Sequence, residues 1–381
     1  MSQTARNAVR HVHRWTGLTA GLVLAFMAAT GISIAYRPQL EPIIHRELLT
    51  VPACSARVPI DQLAANARVV HPGGELDYVR IKAGAAGAER IPAVQIRIAT
   101  PRGEGLRPIQ DDLYLDPCTG RYLGQRDRYA GPFAMLEKLH RFRFIDSGFS
   151  IPGVCALLFL MVMAGGGLYM AWPRGRPWKR VLFFDRAATR GRPMERHRVI
   201  GLYVAAIAGL SALTGLPQAF DWYKYGIYSV TDSAPPKAPG STIIPGSPRL
   251  SMEDYWKETQ ALVPNPREAL LHFPAKPADA VEIFAIPPDA PHANARTLMF
   301  LDAYSGKALY FMPYAESSLG NRLYFWTLSW HTGQTGPYGP PILILGALGL
   351  LYLAFTGIGT YLRRRFARSR VRSLTTSEET P

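Results

Sequence analysis

Four stretches of the chain contain no Asp, Glu, Lys or Arg, and each is long enough to cross a membrane as a helix. They are residues 15–36, 147–173, 199–220 and 323–362. A helix of about 22 residues is roughly 33 Å long, against about 30 Å for the hydrocarbon core of a bilayer. The fourth stretch is longer than one span needs. We therefore expect residues 341–362 to cross the membrane and residues 323–336 to form an approach helix at its surface.

In the segments between these stretches, apolar and polar residues alternate with the spacing of amphipathic helices and strands. This pattern is typical of globular domains. In the first segment we predict a helix at 60–71 and strands at 77–83 and 93–100. The second segment has a helix pattern at 251–263 and strand patterns at 269–273 and 281–286. The order of elements is the same in both. The predicted fold is therefore an internally duplicated α-helical membrane protein with four transmembrane helices and two small α+β domains outside the membrane.

Each of the two segments closes on a strand, a turn and a returning strand. The turns contain Asp116 with Gly120 and Asp302 with Gly306, at one offset of 186 residues. Asp side chains initiate such turns and Gly adopts positive φ at little cost. We assign these residues a structural role and no chemistry.

These patterns divide the chain into eight segments. They are 1–37 (N-terminus and first span), 38–135 (first external domain), 136–173 (second span and the segment before it), 174–198 (basic loop), 199–220 (third span), 221–320 (second external domain, with a Pro-, Ser- and Gly-rich linker at 231–250), 321–362 (approach helix and fourth span) and 363–381 (tail).

The net charge of +15 is concentrated in three of the predicted membrane-flanking regions. Residues 1–14, 173–198 and 363–381 hold 18 of the 43 Lys and Arg residues, against four acidic residues. Loops rich in Lys and Arg stay in the cytoplasm. We therefore expect a protein of the bacterial inner membrane with both termini in the cytoplasm, both domains in the periplasm and membrane lipid around it. Because orientation accounts for the charge, no nucleic-acid partner is expected.

Two of the three cysteines, Cys54 and Cys118, fall in the first external segment, and Cys155 lies in the second span. An oxidising periplasm would permit a disulfide between the first two. Two free thiols are equally compatible with the sequence, because pairing depends on a geometry that spacing does not give.

Histidines are repeated together with the spans. The string HRWTGL at 13–18 recurs as HRVIGL at 197–202, and Thr30-Gly31 recurs as Thr214-Gly215, both at an offset of 184. His140 before the second span and His331 before the fourth form another pair, at an offset of 191. Histidines that merely lie at a membrane interface are not expected to recur at such offsets. We therefore predict that His13, His197, His140 and His331 bind a metal or haem iron.

Haem fits this pattern better than a bare metal ion. A porphyrin needs axial imidazoles, a slot between helices and cations for its propionates. The many glycines along the spans leave room for close helix contacts or a flat ring, and Arg14, Arg198, Arg141 and Arg143 are candidate propionate partners. Zinc or copper transport is the rival, but the spans lack a Cys/His or Asp/Glu cluster of metal-site spacing. Without a CxxCH string any haem would be of the b type.

Several strings together resemble the PepSY-associated transmembrane family. They are HRWTGL before an apolar run ending in TG, LYLDPCTG, MFLDAYSG, GGLYMAWPR and WHTG before the last span. More narrowly, the chain resembles the inner-membrane ferric-siderophore reductases of that family, including those that act on ferrioxamine B. The resemblance implies an enzyme, a ferric-siderophore reductase with two haem b groups, a hydroxamate siderophore as partner and an electron donor on the cytoplasmic or quinone side.

The resemblance also implies the positions of the ligands. The family's haem ligands correspond to His13 and His197 at the inner face and to His140 and His331 at the outer face, while the pairing stays open and His11 or His45 could replace a member. The region proposed for the ferric siderophore lies beside the outer histidines and includes Phe142, Phe144, Tyr324, Phe325, Trp326 and Trp330.

Two other classes of function compete with a reductase. Domains of the PepSY type are associated with binding or restraining peptidases, so a haem-free periplasmic interaction protein is one alternative. A permease component for a siderophore or metal is the other, although spans without charged residues favour it less.

Overall fold

The protein is described by a computed structural model that covers residues 3–101, 108–145, 149–173, 175, 177–183 and 193–377. The N-terminal half contains α1 Gln3–Leu18, α2 Ala20–Ala35, α3 Arg37–Ile44, α4 Arg46–Leu49, β1 Thr50–Pro52, α5 Ile60–Val70, β2 Glu75–Lys82, β3 Arg90–Pro92, β4 Val94–Thr100, β5 Ile109–Leu115, β6 Tyr122–Asp127, α6 Pro132–His140, α7 Ile151–Leu158, α8 Gly165–Ala171 and α9 Lys179–Leu182. The C-terminal half contains α10 Pro193–Ala219, α11 Asp221–Val230, α12 Met252–Leu262, β7 Glu268–His272, β8 Val281–Ile286, β9 Thr297–Leu301, β10 Ala308–Met312, α13 Leu319–Thr332 and α14 Gly339–Ser377.

The prediction of four transmembrane helices is wrong for the structure as described. Three helical segments are long and apolar enough to cross a membrane: Ile151–Ala171, Met194–Ala219 and Gly339–Ala367. The first charge-free stretch is instead part of two helices, α1 and α2, bent by 45° at their junction. Thr19 stands at that junction, where its hydroxyl donates to the Trp15 carbonyl at 2.9 Å. The bend is a feature of the backbone, and a charge count does not register it.

The prediction of two small external domains is also wrong, because the strands of both halves form one sheet. Eight antiparallel strands lie in the order β10-β9-β8-β7-β2-β4-β5-β6. The halves meet at β2 and β7, where Val79 is opposite Leu271 and Ile81 is opposite Ala269. These four side chains are at most 9% exposed and belong to one apolar core with α5 and α12. Each half alone would leave this edge strand and its apolar face open to water, so pairing the two edges stabilises both.

The two helices on the sheet exchange their N-terminal caps. The Asp61 carboxylate near the start of α5 accepts hydrogen bonds from the backbone N–H groups of Met252 and Glu253 in α12, each at 3.0 Å. In return the Glu253 carboxylate accepts the Ile60 N–H of α5 at 2.8 Å. The first N–H groups of a helix lack partners inside the helix, and negative charge is favourable there. The exchange therefore links the two halves through polar bonds as well as through their core.

The closing turns of the two halves have the predicted geometry. The Asp116 carboxylate accepts the Cys118 N–H at 2.8 Å and the Asp302 carboxylate accepts the Ser305 N–H at 2.8 Å. Gly120 and Gly306 have φ of +75° and +72°. Cys54 and Cys118 form a disulfide with Cα atoms 6.0 Å apart, which resolves the alternative that the sequence left open.

Below the sheet, the long helices pack so that each half contributes to the same bundle. α10 packs against α14, α13 and α7, while α2 packs against α14 and α6. A π-helical turn, Phe159–Ala164, separates α7 from α8. Leu24, Phe159, Val204 and Ala208 are among the buried side chains at the centre. This arrangement brings the ends of α6 and α13, which carry His140 and His331, to one end of the bundle.

Candidate functional site

The structure brings His140 and His331 together. Their ring centroids are 6.4 Å apart, with an angle of 53° between the ring planes. Nδ1 of His140 lies 3.0 Å from the Met27 carbonyl oxygen of α2, and Nδ1 of His331 lies 3.0 Å from the Ser211 carbonyl oxygen of α10. Met27 and Ser211 are 184 residues apart, the offset of the duplicated strings. The two contacts are thus copies of one another.

These hydrogen bonds determine which ring nitrogen is available. A carbonyl oxygen can only accept, so Nδ1 of both rings carries the proton and donates it. Nε2 then has a free lone pair, and among the described residues no hydrogen bond engages Nε2 of either ring. Burial lowers the pKa of His140 to about 4, with a further contribution from His331, and burial also lowers the pKa of His331. Both imidazoles are therefore neutral at pH 7, which is the form that ligates a metal.

His13 of α1 and His197 of α10 are the second pair that the sequence predicts, and each ring has a polar contact through Nδ1. Nδ1 of His197 donates to the Thr356 hydroxyl at 2.9 Å, and that hydroxyl itself donates to the Tyr352 carbonyl. Nδ1 of His13 lies 3.4 Å from the carbonyl oxygen of Val162, which belongs to the π-helical turn. The proton again lies on Nδ1, which leaves Nε2 as the potential ligand.

Every one of the four imidazoles lies against a glycine of a neighbouring helix. A Cβ on Gly31 would be 3.2 Å from His140, and a Cβ on Gly215 would be 2.7 Å from His331. A Cβ on Gly167 or on Gly357 would be 3.6 Å from His13 or His197, respectively. The missing side chains let a ring from one helix reach the backbone of the next, so the carbonyl or hydroxyl partner comes within hydrogen-bond distance.

A cavity of about 820 Å³, the outer cavity, extends from the His140–His331 pair. Its wall is largely apolar and comes from α2, α7, α10 and α14, with Leu24, Phe159, Ala212 and Leu350 among its lining side chains. Among the described residues, the charged side chains that line it are Arg37, Arg128, Glu137, Arg141 and Arg143. A volume of this size is within the range of sites for small-molecule ligands and cofactors.

The donor set fits haem iron. Two imidazoles that share one metal through Nε2 hold their ring centroids roughly 6 Å apart, because each metal–nitrogen bond is about 2 Å long. The observed 6.4 Å between His140 and His331 agrees with that spacing. Among the described residues, by contrast, no group of three or more His, Cys, Asp or Glu side chains is suited to a bare metal ion. Two axial nitrogens and an apolar slot are what a b-type haem requires.

The other predicted site residues differ in whether they line the outer cavity. His11 is exposed and its ring contacts Trp15, and His45 lies between α3 and α4; neither belongs to the described lining of the outer cavity. Arg14 is exposed, and Arg198 donates to the Glu195 carboxylate and the Val181 carbonyl, whereas Arg141 and Arg143 line the cavity. Of the six aromatic residues expected near the siderophore, Phe142 is the one among the described lining residues.

Two features of the site are not evident from the sequence interpretation. The sequence interpretation takes the glycines of the spans as room for close helix contacts or a flat ring, whereas Gly31 and Gly215 lie against imidazoles, and Gly357 of a third pair, Thr356-Gly357, lies against His197. The recurrence of Thr-Gly at the histidine offset was the available signal. The second feature is Trp326, a half-buried side chain that packs on buried His292 with ring centroids 4.4 Å apart.

Comparison with known proteins identifies the family. No match is found among curated protein sequences. The family model of the PepSY-associated TM region matches residues 10–364, which is nearly the whole chain and includes all four histidines. Together with the long apolar helices, this match shows that the chain is a membrane protein and a member of the PepSY-associated transmembrane family.

Proposed function

We propose that the protein is a di-haem b electron-transfer protein of the bacterial inner membrane that reduces Fe(III) in a periplasmic hydroxamate siderophore to Fe(II). The observation that carries the proposal is the His140–His331 pair, with ring centroids 6.4 Å apart and both Nδ1 atoms bonded to carbonyls, in the wall of the outer cavity. Bound haem supplies reversible one-electron oxidation and reduction at iron. Hydroxamate oxygens are hard ligands that favour Fe(III) over Fe(II), so reduction releases the iron.

The residues of the chain have defined tasks in this proposal. His140 and His331 would hold the haem of the outer site, and His13 and His197 would hold that of the inner site. The Met27 and Ser211 carbonyls fix the Nδ1–H tautomer and make Nε2 a stronger donor to iron. The apolar wall excludes water, which together with the axial ligands influences the reduction potential.

The proposed orientation follows from the basic segments. With residues 173–198 and 363–381 in the cytoplasm, the sheet and the outer cavity face the periplasm, where the siderophore arrives. The inner histidines then face the cytoplasmic side, where a soluble reductant or a quinone-linked protein donates the electron.

The first experiment is an absorption spectrum of the purified full chain before and after dithionite, with haem counted by the pyridine haemochromogen method. We expect a sharp Soret band that shifts on reduction and two haems per chain. His140→Ala and His331→Ala should remove the outer haem, and His13→Ala and His197→Ala the inner one, because an axial position is left empty.

The matched controls are His11→Ala and His45→Ala, which remove histidines outside the two pairs and should keep both haems. A colourless protein from haem-replete cells would reject the proposal in favour of a haem-free interaction protein. Unchanged haem counts in all four pair variants would reject the ligand assignment.

The second experiment measures the reaction. Dithionite-reduced protein, freed of excess reductant and mixed without oxygen with a ferric hydroxamate, should return to the oxidised spectrum while a ferrous-iron chelator gains colour at one iron per electron. Free ligand without iron is the control. A reduced spectrum that persists with several ferric hydroxamates would contradict reductase activity.

A further inference from the structure

Three arginines surround one glutamate in the wall of the outer cavity. The Glu137 carboxylate lies 3.6 Å from Arg37, 3.8 Å from Arg128 and 3.4 Å from Arg141. The arginines come from α3, from the loop after β6 and from the segment after α6. We call Arg37, Arg128, Arg141 and Glu137 the arginine cluster. All four are among the lining residues of the cavity.

Positive charge in this cluster exceeds negative charge. Outside it, Arg37 also contacts Glu41 at 3.2 Å, but Glu41 is shared with Arg126 at 3.1 Å. Within the part of the chain that the structure describes, the connected set of ion pairs therefore contains four guanidinium groups and two carboxylates. Like charges held together in a partly buried place repel one another, and an added anion relieves the repulsion.

The arginines of the cluster have N–H donors that Glu137 does not engage and that a ligand can use. The side chains of Arg37, Arg128 and Arg141 are 27%, 31% and 42% exposed, so each can be reached from the cavity. A guanidinium carries five N–H donors in a planar fork, and Glu137 can engage few of those that three arginines present. The fork geometry matches a carboxylate, which it binds through two parallel hydrogen bonds.

The position of the cluster relates it to the histidine pair. Glu137 lies one helical turn before His140 on α6 and Arg141 follows His140 directly, and Glu137 and Arg141 line the same cavity as the His140 and His331 rings. A ligand that occupies the cavity beside His140 and His331 would therefore have its acidic groups within reach of the cluster.

We propose that Arg37, Arg128 and Arg141 form a subsite for a ligand bearing two carboxylates. Two sources of that chemistry are compatible with the cavity: the propionates of a porphyrin, or free carboxylates on a ferric chelate. The subsite stands on the ion-pair geometry, and only the first source rests on the proposed haem function. A chelate with a free ammonium group is disfavoured by the same charges.

The test uses the purified full chain and the variants Arg128→Gln and Arg141→Gln, with Arg121→Gln as the matched control. Arg121 is an exposed arginine in the Asp116 turn and is absent from the described lining residues. Binding of ferric citrate, an anionic chelate, is measured by equilibrium dialysis at low and high salt. Ferrioxamine B, a cationic chelate, is measured in parallel, and haem per chain is counted in every variant.

If the cluster binds a ferric chelate, each cluster variant should weaken ferric citrate binding about tenfold with unchanged haem content, because one charge-assisted hydrogen-bond pair is lost. High salt should weaken the binding as well, whereas binding of cationic ferrioxamine B should be strengthened by the substitutions, because each removes a repelling positive charge. If the cluster holds propionates, the variants should instead lose the outer haem. If the cluster variants match Arg121→Gln both in ferric citrate binding and in haem per chain, the proposed subsite is wrong. A colourless wild-type protein would contradict the haem proposal. Ferric citrate binding, measured by dialysis, would then be the test of the subsite.

Discussion

The unit that repeats in this protein is an imidazole, a glycine and a hydrogen-bond acceptor. Gly31 and Gly215 allow His140 and His331 to approach the backbone of α2 and α10, whose Met27 and Ser211 carbonyls accept the Nδ1 protons. The buried Thr30 hydroxyl adds an acceptor to His140 at 3.2 Å. A small residue, a helix carbonyl and a ring thus define one ligand orientation without any charged group.

At this scale we predict that Gly215→Ala displaces His331. Its Cβ would be 2.7 Å from the imidazole, and the ring is held by its bond to Ser211. We expect a loss of about 1–3 kcal/mol in stability from overpacking. Thermal unfolding reports the stability, and the haem count reports the outer site. Gly359→Ala is the control, because a Cβ there meets nothing within 4 Å. Equal behaviour of the two variants would contradict the steric role of Gly215.

At the scale of elements, the exchanged caps of α5 and α12 couple the two halves of the chain. The Asp61 carboxylate accepts hydrogen bonds from two N–H groups of α12. The Glu253 carboxylate accepts one from the Ile60 N–H and forms an ion pair with Arg57 at 3.1 Å. The two helices therefore begin at one shared polar contact above a common core. Neither cap is complete without the other half.

We predict that Asp61→Ala lowers the free energy of unfolding by about 1–2 kcal/mol, the cost of losing a helix cap. Asp289→Ala removes an exposed carboxylate of the β8–β9 loop and should change it little. The midpoint of thermal unfolding, followed by circular dichroism, measures both. Asp61→Ala and Glu253→Ala should also combine non-additively, because their contacts are adjacent. Strictly additive losses would show that the caps act independently.

At the scale of the whole molecule, a buried polar network joins the sheet to the helix that carries His331. His292, in the loop between β8 and β9, is 3% exposed; its Nε2 lies 2.8 Å from the Tyr314 hydroxyl and its Nδ1 lies 2.8 Å from the Ser329 hydroxyl of α13. Asn294 of the same loop donates to Ser329 at 2.9 Å and lines the outer cavity. The sheet thus contributes directly to the wall of the site and holds α13 in place.

Local sequence patterns predicted most individual elements of the fold. The strand predicted at 281–286 is β8, and the helices predicted at 60–71 and 251–263 correspond within a residue to α5 and α12. Apolar periodicity and turn residues act within a few positions, so they can be recognised in the chain alone. The prediction of four spans was wrong at the junction of α1 and α2, where the chain bends by 45° within a run that composition treats as continuous.

Sequence by itself therefore determined the apolar helices, the repeated histidines, the two Asp-Gly turns and the resemblance to the family that the comparison confirmed. Only the tertiary structure decided that β2 pairs with β7 to make one sheet, that Cys54 bonds to Cys118 and that the His140 and His331 rings lie 6.4 Å apart. These contacts join residues 64 to about 190 positions apart. Their formation depends on packing between whole elements, and a local pattern of residues does not encode which elements will meet.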